Sequence, residues 1–329
     1  MKKTVFVLVL FVVLFIALMV GYRIVSSPPD TGLVTTFSLE RGWGVRKVAA
    51  ALQDSGLVRS RFVVIWKYRQ AFAPAPLQAG KYLLSDTMRV ETILGLFTRG
   101  EVIPTPTHWV TIPPGVRLEE GISLLASQME RPQGEFMDVA KDTEFLASMG
   151  IPRMEGYLFP ETYEFADSLS ATEILARITA TGEQVMTQGW KDSCGTLGLT
   201  PEQAVVLASI VEREGKDDSE LSLISGVFLL RLRRDMRLES CATVQYALGE
   251  VRERLLYSDL EVESPYNTYR HQGLPPGAIC SPGPASLRAV AMPDTTERYL
   301  FFVSREDGSG HHLFARTSSE HSANIESVR

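Results

Sequence analysis

The sequence predicts a mixed α+β protein in three parts: an N-terminal transmembrane helix, a small α+β module and a larger mixed α+β domain. Three observations support this prediction. The chain opens with a long apolar run, its 329 residues suffice for two domains beyond that run, and segments of strand and helix periodicity alternate along it. The predicted boundaries are 1–25 for a cytoplasmic tip and the transmembrane helix, 26–34 for a linker, 35–106 for the module and 107–329 for the larger domain, with a helical segment at about 131–195.

The apolar run is the first element. Residues 4–22 carry no charge, and about 19 residues make roughly 28 Å of helix, enough to cross the hydrocarbon core of a bilayer. Lys2 and Lys3 precede the run, which keeps the N-terminus in the cytoplasm and exports the rest. A cleaved signal peptide is the alternative, but it has a shorter apolar core and small residues at its cleavage site. Here Gly21-Tyr-Arg-Ile-Val25 follows, so the sequence favours an uncleaved anchor.

A strand, a tight polar or Gly/Pro turn and an amphipathic helix then follow one another three times. The three copies are 35–39 with 45–53, 81–84 with 88–97, and 109–112 with 117–128. A further helix is predicted over residues 61–72, with Ser60 as its N-cap. The irregular spacing of the copies argues against a solenoid and favours a compact α+β module.

Charge and motifs exclude several classes of function. The net charge is −6 and no basic face is visible, so we expect no nucleic-acid partner. The nearest basic cluster, at positions 231, 233 and 234, is predicted to be a solvated helix face. No Gly-rich phosphate loop, G-x-S-x-G or H-E-x-x-H motif occurs. His311 and His312 are adjacent and should point apart in a strand, so we expect no metal and no cofactor.

The three cysteines match no zinc or redox motif. An odd number leaves at least one thiol unpaired within the chain, and one disulfide stays possible but unassigned. The residues are Cys194, Cys241 and Cys280.

The strongest helix signal in the larger domain leads to a glutamate. Thr200, Pro201 and Gln203 form a helix start with a capping box, and Gly215 is the expected stop. Residues 204–211 are apolar on almost every side, which is typical of a buried helix. The last turn should therefore emerge from the core with Glu212 on it.

A carboxyl group in that position is suited to donating a proton. Partial desolvation and the negative end of the helix dipole favour its protonated form. Cleavage of a glycosidic bond needs such a donor, because the leaving oxygen must receive a proton. The alternative is that Glu212 only pairs with Arg213 or Lys216 at a frayed helix end, and the residues alone leave this open. Glu214 is predicted to be solvated.

Several ordered motifs resemble one family, the MltG/YceG-like endolytic murein transglycosylases, over nearly the whole chain. The motifs are Glu155-Gly-Tyr-Leu-Phe-Pro-Glu-Thr-Tyr163, Ala208-Ser-Ile-Val-Glu-Arg-Glu214, Ser264-Pro-Tyr-Asn-Thr-Tyr269, Gly273-Leu-Pro-Pro-Gly-Ala-Ile279, Ser281-Pro-Gly283 and Gly310-His-His-Leu-Phe-Ala-Arg-Thr317 with Glu320-His321. Cys241-Ala242 departs from the Asp-Pro that is frequent there in the family, which puts an essential acidic role at this position in doubt.

The resemblance implies an inner-membrane lytic transglycosylase of bacterial peptidoglycan. It implies that Glu212 is the catalytic residue, that the product carries a 1,6-anhydro-MurNAc end, and that residues 35–106 form a LysM-like module close to the glycan. Glycan strands are the expected partner, with peptidoglycan synthases as possible companions. Predicted sugar contacts are Thr243, Tyr266, Asn267 and Thr268, with Glu161 as an orienting group. A hydrolase of the same bond and a non-catalytic peptidoglycan-binding scaffold remain as alternatives.

Overall fold

The computed structural model describes residues 2–104, 106–250, 252 and 255–328. The chain divides between residues 105 and 106 into two compact units, here called unit 1 and unit 2. The division lies one residue before the predicted boundary between module and larger domain. The mixed α+β class is confirmed, since short two-stranded sheets are combined with helices in both units.

Unit 1 is a two-stranded antiparallel sheet with helices packed on it. Phe37 and Tyr82 pair across the sheet, and both are buried in a core shared with the helices. The elements are α1 (Lys2–Ser26), β1 (Val34–Leu39), α2 (Val45–Asp54), α3 (Arg61–Ala71), β2 (Gly80–Ser85) and α4 (Val90–Arg99).

The residues predicted as a linker are held against unit 1. The backbone N–H and the hydroxyl of Thr31 donate to one carboxylate oxygen of Asp86, at 2.7 and 2.5 Å. Arg59 donates to the carbonyls of Pro28 and Pro29 at 3.2 and 3.1 Å. Asp86 is fully buried, and these Thr31 bonds, the hydroxyl bond first, lower the pKa of its carboxyl. The segment is therefore a fixed part of unit 1.

Unit 2 contains two further antiparallel pairs, β3 with β4 and β5 with β6, surrounded by helices. Its core lies around α10, whose residues 204–211 are all buried. The elements are β3 (Thr107–Thr111), α5 (Leu118–Gln128), α6 (Gln133–Lys141), α7 (Thr143–Ser148), β4 (Thr162–Ala166), α8 (Ala171–Gly182), α9 (Gln188–Thr196), α10 (Pro201–Glu214), α11 (Leu221–Arg233), α12 (Cys241–Leu248), α13 (Pro284–Ala291), β5 (Phe301–Ser304), β6 (His312–Ala315) and α14 (Ser318–Ser327).

For the described residues, no single helix has both the length and the apolar composition of a membrane span. The described apolar stretch of α1 runs over Leu10–Ser26, and the side chains of residues 2–9, part of the predicted span, lie outside the described ones. Helices α9 and α10 together have the length and composition of a membrane span, but their axes are bent by 85°.

All three strand–turn–helix copies form, as β1–α2, β2–α4 and β3–α5. The helix predicted over 61–72 is α3, although Ser60 makes no capping hydrogen bond. The segment 131–195 contains α6, α7, α8 and most of α9, loops at 149–161 and 167–170, and β4, which pairs with β3 and was not predicted.

The prediction of a solvated basic face on α11 is wrong for Arg231. Its side chain is buried, with 6% exposure. It donates to the carbonyls of Leu300 and Leu238 at 2.6 and 2.9 Å and to the carboxylate of Glu239 at 3.0 Å. These acceptors come from segments distant in sequence or beyond the helix end, which helix periodicity cannot reveal.

Candidate active site

The helix that carries Glu212 forms as its sequence predicts. The Thr200 hydroxyl accepts from the Gln203 N–H at 3.2 Å, and the Gln203 side chain accepts from the Thr200 N–H at 3.0 Å. This capping box fixes the start of α10, and Gly215 follows its last residue. Glu212 lies in the final turn and is half-buried. The buried body of the helix therefore holds a partly accessible carboxyl at its C-terminal end.

Two loops meet beside this carboxyl. The Gly115 N–H donates to the Ser281 carbonyl at 2.9 Å, and the Ser281 N–H donates to the Val116 carbonyl at 2.8 Å. Gly115 has φ +78°, and a Cβ atom there would lie 3.8 Å from Cγ of Glu212. A Cβ atom on Gly283 would lie 3.3 Å from the Glu212 carboxylate. The two loops, 113–116 and 281–283, thus form a close-fitting cradle for Glu212.

The carboxylate of Glu212 is oriented through one of its oxygens. Oε2 accepts from the Gly283 N–H at 2.9 Å and from the Ser286 hydroxyl at 2.7 Å. Both donors belong to the start of α13, with Gly283 as its N-cap. The positive end of this helix favours negative charge on Glu212 once its proton has left. Among the described residues, Oε1 has no hydrogen-bond donor, so it is the oxygen left to exchange a proton with a ligand.

The alternative in which Glu212 only pairs with a neighbouring cation does not fit this geometry. Arg213 instead donates to the Gly115 carbonyl at 3.2 Å. Within the described part of the chain, no salt bridge joins Glu212 to Arg213 or to Lys216.

Glu155 is a second carboxyl of the site region that the sequence did not single out. It accepts from the Leu118 N–H at the start of α5, at 3.0 Å, and from the Tyr246 hydroxyl at 3.3 Å. Burial raises the pKa of Glu155 to about 7, and the Leu118 N–H and Arg117 oppose the shift only in part. A Cβ atom on the next residue, Gly156, would lie 3.9 Å from the carbonyl oxygen of Cys280, which leads into the loop that holds Glu212.

The predicted sugar contacts lie in different surroundings. Thr243, Asn267 and Thr268 are buried. The Thr243 and Thr268 hydroxyls lie 2.8 Å apart, and the Asn267 amide donates to the carbonyls of Leu260 and Val262, both at 2.9 Å. These bonds give the three side chains an internal role, and their contact with sugar stays a prediction.

The other two predicted residues are more accessible. Tyr266 is half-buried, its hydroxyl accepts from Arg153 at 3.1 Å, and its ring lies 4.7 Å from the ring of Tyr246. Glu161 is exposed at the start of β4, and its carbonyl accepts from the Ile112 N–H at 3.0 Å. Glu161 is therefore next to the strand end from which the 113–116 loop departs.

The carboxylate of Glu214 is hydrogen-bonded to protein groups, contrary to the expectation that it is solvated. One of its oxygens accepts from the Ser240 hydroxyl and from the Ala242 N–H. The expectation that His311 and His312 point apart is also wrong. Both rings approach Glu220, at 3.2 and 2.8 Å, because β6 begins only at His312.

None of the three cysteines forms a disulfide. Cys194 and Cys280 are buried and Cys241 is exposed. Burial raises the pKa of the Cys194 and Cys280 thiols.

Comparison with known proteins places this chain in a family. A family model described as YceG-like matches residues 37–327, and the chain belongs to the YceG-like family. The endolytic murein transglycosylase of Bacillus subtilis is 30% identical over 313 residues, which cover 89% of this chain and 84% of that protein. Endolytic murein transglycosylases of two Streptococcus pneumoniae strains are 27% identical over 328 residues, covering 88% of this chain and 57% of their own length.

A solved structure is also similar. The crystal structure of a YceG-like protein from Listeria monocytogenes matches with a TM-score of 0.59 and 28% identity, covering 89% of this chain and 99% of that one.

Proposed function

We propose that this chain is an endolytic lytic transglycosylase that cuts peptidoglycan glycan strands between MurNAc and GlcNAc and so terminates strand elongation. Its family membership and the curated relatives at 27–30% identity support the assignment. The observation that carries the chemistry is the carboxyl of Glu212, fixed through Oε2 by Gly283 and Ser286 while Oε1 has no protein donor among the described residues.

In the first step Glu212 acts as an acid. Its proton passes from Oε1 to the oxygen that links MurNAc to GlcNAc, the bond from that oxygen to the anomeric carbon breaks, and an oxocarbenium-like transition state develops. The GlcNAc-bearing strand leaves as an alcohol. The negative charge that remains on Glu212 lies at the N-terminal end of α13, whose N–H and hydroxyl donors stabilise it.

In the second step Glu212 acts as a base. It takes the proton of the MurNAc C6 hydroxyl, whose oxygen bonds to the anomeric carbon of the same sugar and closes the 1,6-anhydro ring. Glu212 is protonated again and no water is consumed. Because the nucleophile is tethered to the reacting sugar, one carboxyl group is sufficient. Glu155 and Glu214 are bound to other protein groups, which agrees with a mechanism based on a single carboxyl.

The same proposal includes an inner-membrane location with the catalytic unit on the periplasmic side. It is supported by the uncharged run at residues 4–22 behind Lys2 and Lys3. Unit 1, with α2 and α3 between its paired strands, would be the LysM-like module that holds the enzyme near its glycan. A peptidoglycan synthase that produces the strand is the proposed companion.

The test is the Glu212→Gln full-length chain in detergent, acting on uncross-linked glycan strands. Loss of the acid and base should lower the release of anhydro-MurNAc ends at least about 100-fold. Glu202→Gln, an exposed change at the other end of α10, is the matched control and should act like the wild type. Mass spectrometry of the products and the unfolding temperature are the measurements.

Three outcomes would contradict the proposal. Anhydro ends still released by Glu212→Gln would remove Glu212 from the mechanism. Products heavier by one water would make the enzyme a hydrolase. Glycan binding without cleavage, unchanged in Glu212→Gln, would make the chain a scaffold.

A further inference from the structure

A polar cavity of about 410 Å³ lies beside the end of α10, and Glu212 does not line it. Residues two apart on a helix point in nearly opposite directions, so Glu214 leaves α10 on the other side from Glu212. The cavity is lined by Glu214, Arg231, Leu238, Glu239, Cys241, Tyr269, Phe302, Val303, Ser304, His312 and His321. A ligand that crosses the end of α10 could therefore meet both carboxyl groups.

Hydrogen-bond acceptors at the cavity are only partly used. Glu214 accepts its two hydrogen bonds from the protein on Oε1, which leaves Oε2 to accept from a ligand. Nδ1 of His312 lies 2.8 Å from the Glu220 carboxylate, which leaves Nε2 as the ring nitrogen available to a ligand. Nδ1 of His321 is buried and has no partner among the described residues. A buried polar atom without a partner is uncommon and needs an explanation.

The charges at the cavity are largely compensated. Arg231 is bound to Glu239 and to three backbone carbonyls, so it is not a free cation for an anionic ligand. Burial, and then the charge of Arg231, lower the pKa of His321, which keeps its ring neutral. The groups that remain favour a ligand that is rich in O–H and N–H donors.

Aromatic and apolar side chains form part of the wall. Phe302 and Leu238 are apolar, and Tyr269 presents a ring whose hydroxyl lies 3.2 Å from the Cys241 thiol. One apolar surface combined with several hydrogen-bonding groups is the usual composition of a small-ligand site. A sugar ring has the matching chemistry, with C–H groups on its faces and hydroxyl groups around its edge.

We propose that this cavity is a saccharide subsite that binds one hexosamine ring of the glycan strand, whose hydroxyl and amide N–H groups form hydrogen bonds with Glu214, His312 and His321. The inference rests on the proposed function, since it places a sugar of the same strand that Glu212 cleaves. It assigns no second chemical step to the cavity. Its residues bind and orient the strand, and the bond is cut at Glu212.

Cys241 provides a direct test, because it is the exposed cysteine of the three and lines the cavity. A bulky maleimide should form one adduct there, confirmed by intact mass and peptide mapping. Cleavage of peptide-free glycan strands by the full-length chain should then fall at least tenfold. The Cys241→Ser chain, treated in the same way, should show equal activity before and after the reagent.

A second variant separates blocked binding from damage to the fold. In the uncleaving Glu212→Gln chain, the further change Glu214→Gln should weaken the affinity for peptide-free strands about tenfold by calorimetry. Glu144→Gln, an exposed change on α7, is the matched control and should leave the affinity unchanged. Equal unfolding temperatures are required for the comparison.

The outcomes distinguish the two proposals. If the untreated chain cleaves, but neither the Cys241 adduct nor Glu214→Gln has an effect, the saccharide subsite is wrong and the proposed function stands. If the Cys241 adduct and Glu214→Gln affect only strands that carry stem peptides, the cavity binds peptide and the saccharide assignment is overturned. If the untreated chain makes no anhydro ends while the double variant still loses affinity, the enzyme assignment fails and the cavity remains a glycan site.

Discussion

Units 1 and 2 contain the same local pattern, a strand and a helix joined by a tight turn, at β2–α4 and at β3–α5. The carboxyl groups beside these two turns have pKa values that are shifted in opposite directions. Asp86, in the first turn, is buried and the Thr31 donors lower its pKa. Glu155 is half-buried and accepts from the Leu118 N–H at the helix N-terminus that follows the second turn, and desolvation raises its pKa to about 7. Burial alone therefore does not set the direction of a pKa shift, because hydrogen-bond donors to the carboxylate oppose the effect of burial.

The two carboxyls consequently stabilise their units in different pH ranges. The pKa of folded Asp86 is below the ordinary 3.8, so its contribution is present above that value and is lost as the pH falls. The pKa of folded Glu155 is above the ordinary 4.5, so its contribution is complete below that value and is lost as the pH rises through about 7.

The largest expected effect on stability is that of Glu155→Gln. A shift from 4.5 to about 7 corresponds to about 3 kcal/mol of unit 2 stability lost between pH 4 and pH 8, and the neutral amide should remove this loss. Hydrogen exchange of α5 and β4 amides, corrected for the intrinsic rate at each pH, measures the difference. An unchanged pH profile in the variant would show that Glu155 is not the titrating group.

A glycine comparison distinguishes a structural turn from a catalytic one. Gly42 and Gly115 have φ +83° and +78°, so alanine at either position should cost about 1–2 kcal/mol of stability. Only Gly115 packs against Glu212, and only Gly115→Ala should also lower the rate of anhydro-end release, by severalfold. Equal activity in the two variants would argue that the 113–116 loop does not position Glu212.

The smallest expected effect is that of Thr31→Val in unit 1. The change removes the hydroxyl that most lowers the pKa of Asp86 and keeps the shape of the side chain. The stability that unit 1 loses as the pH falls below 3.8 should then be smaller than in the wild type, which hydrogen exchange of β1 and β2 amides detects between pH 3 and pH 6. Thr36→Val, on exposed β1 surface, is the control. A profile like that of the wild type would mean that another donor determines the titration of Asp86.

Local signals predicted the local structure well. The capping box at Thr200, the stop at Gly215 and all three strand–turn–helix copies depend on residues within a few positions of each other. The emergence of Glu212 from a buried helix could be predicted for the same reason, and its proposed catalytic role is what the family resemblance implies.

The remaining features depend on residues far apart in the chain. No local signal indicates that Glu155 meets the Leu118 N–H 37 residues earlier, or that Arg231 finds a carbonyl 69 residues later. The burial of Asn267 and Thr268 was missed for a related reason. A Tyr-Asn-Thr-Tyr segment is as suitable for an internal turn as for a sugar, and only the tertiary packing decides between them.

The cradle of Glu212 also has a consequence for the order of folding. The carboxylate meets donors 71 and 74 positions later, and its neighbour Arg213 holds a carbonyl 98 positions earlier. Contacts of such long range generally form slowly, after local helices and turns. On the proposed mechanism, a chain still emerging from the ribosome can therefore have most of its helices and yet be inactive until α13 has been synthesised and has docked.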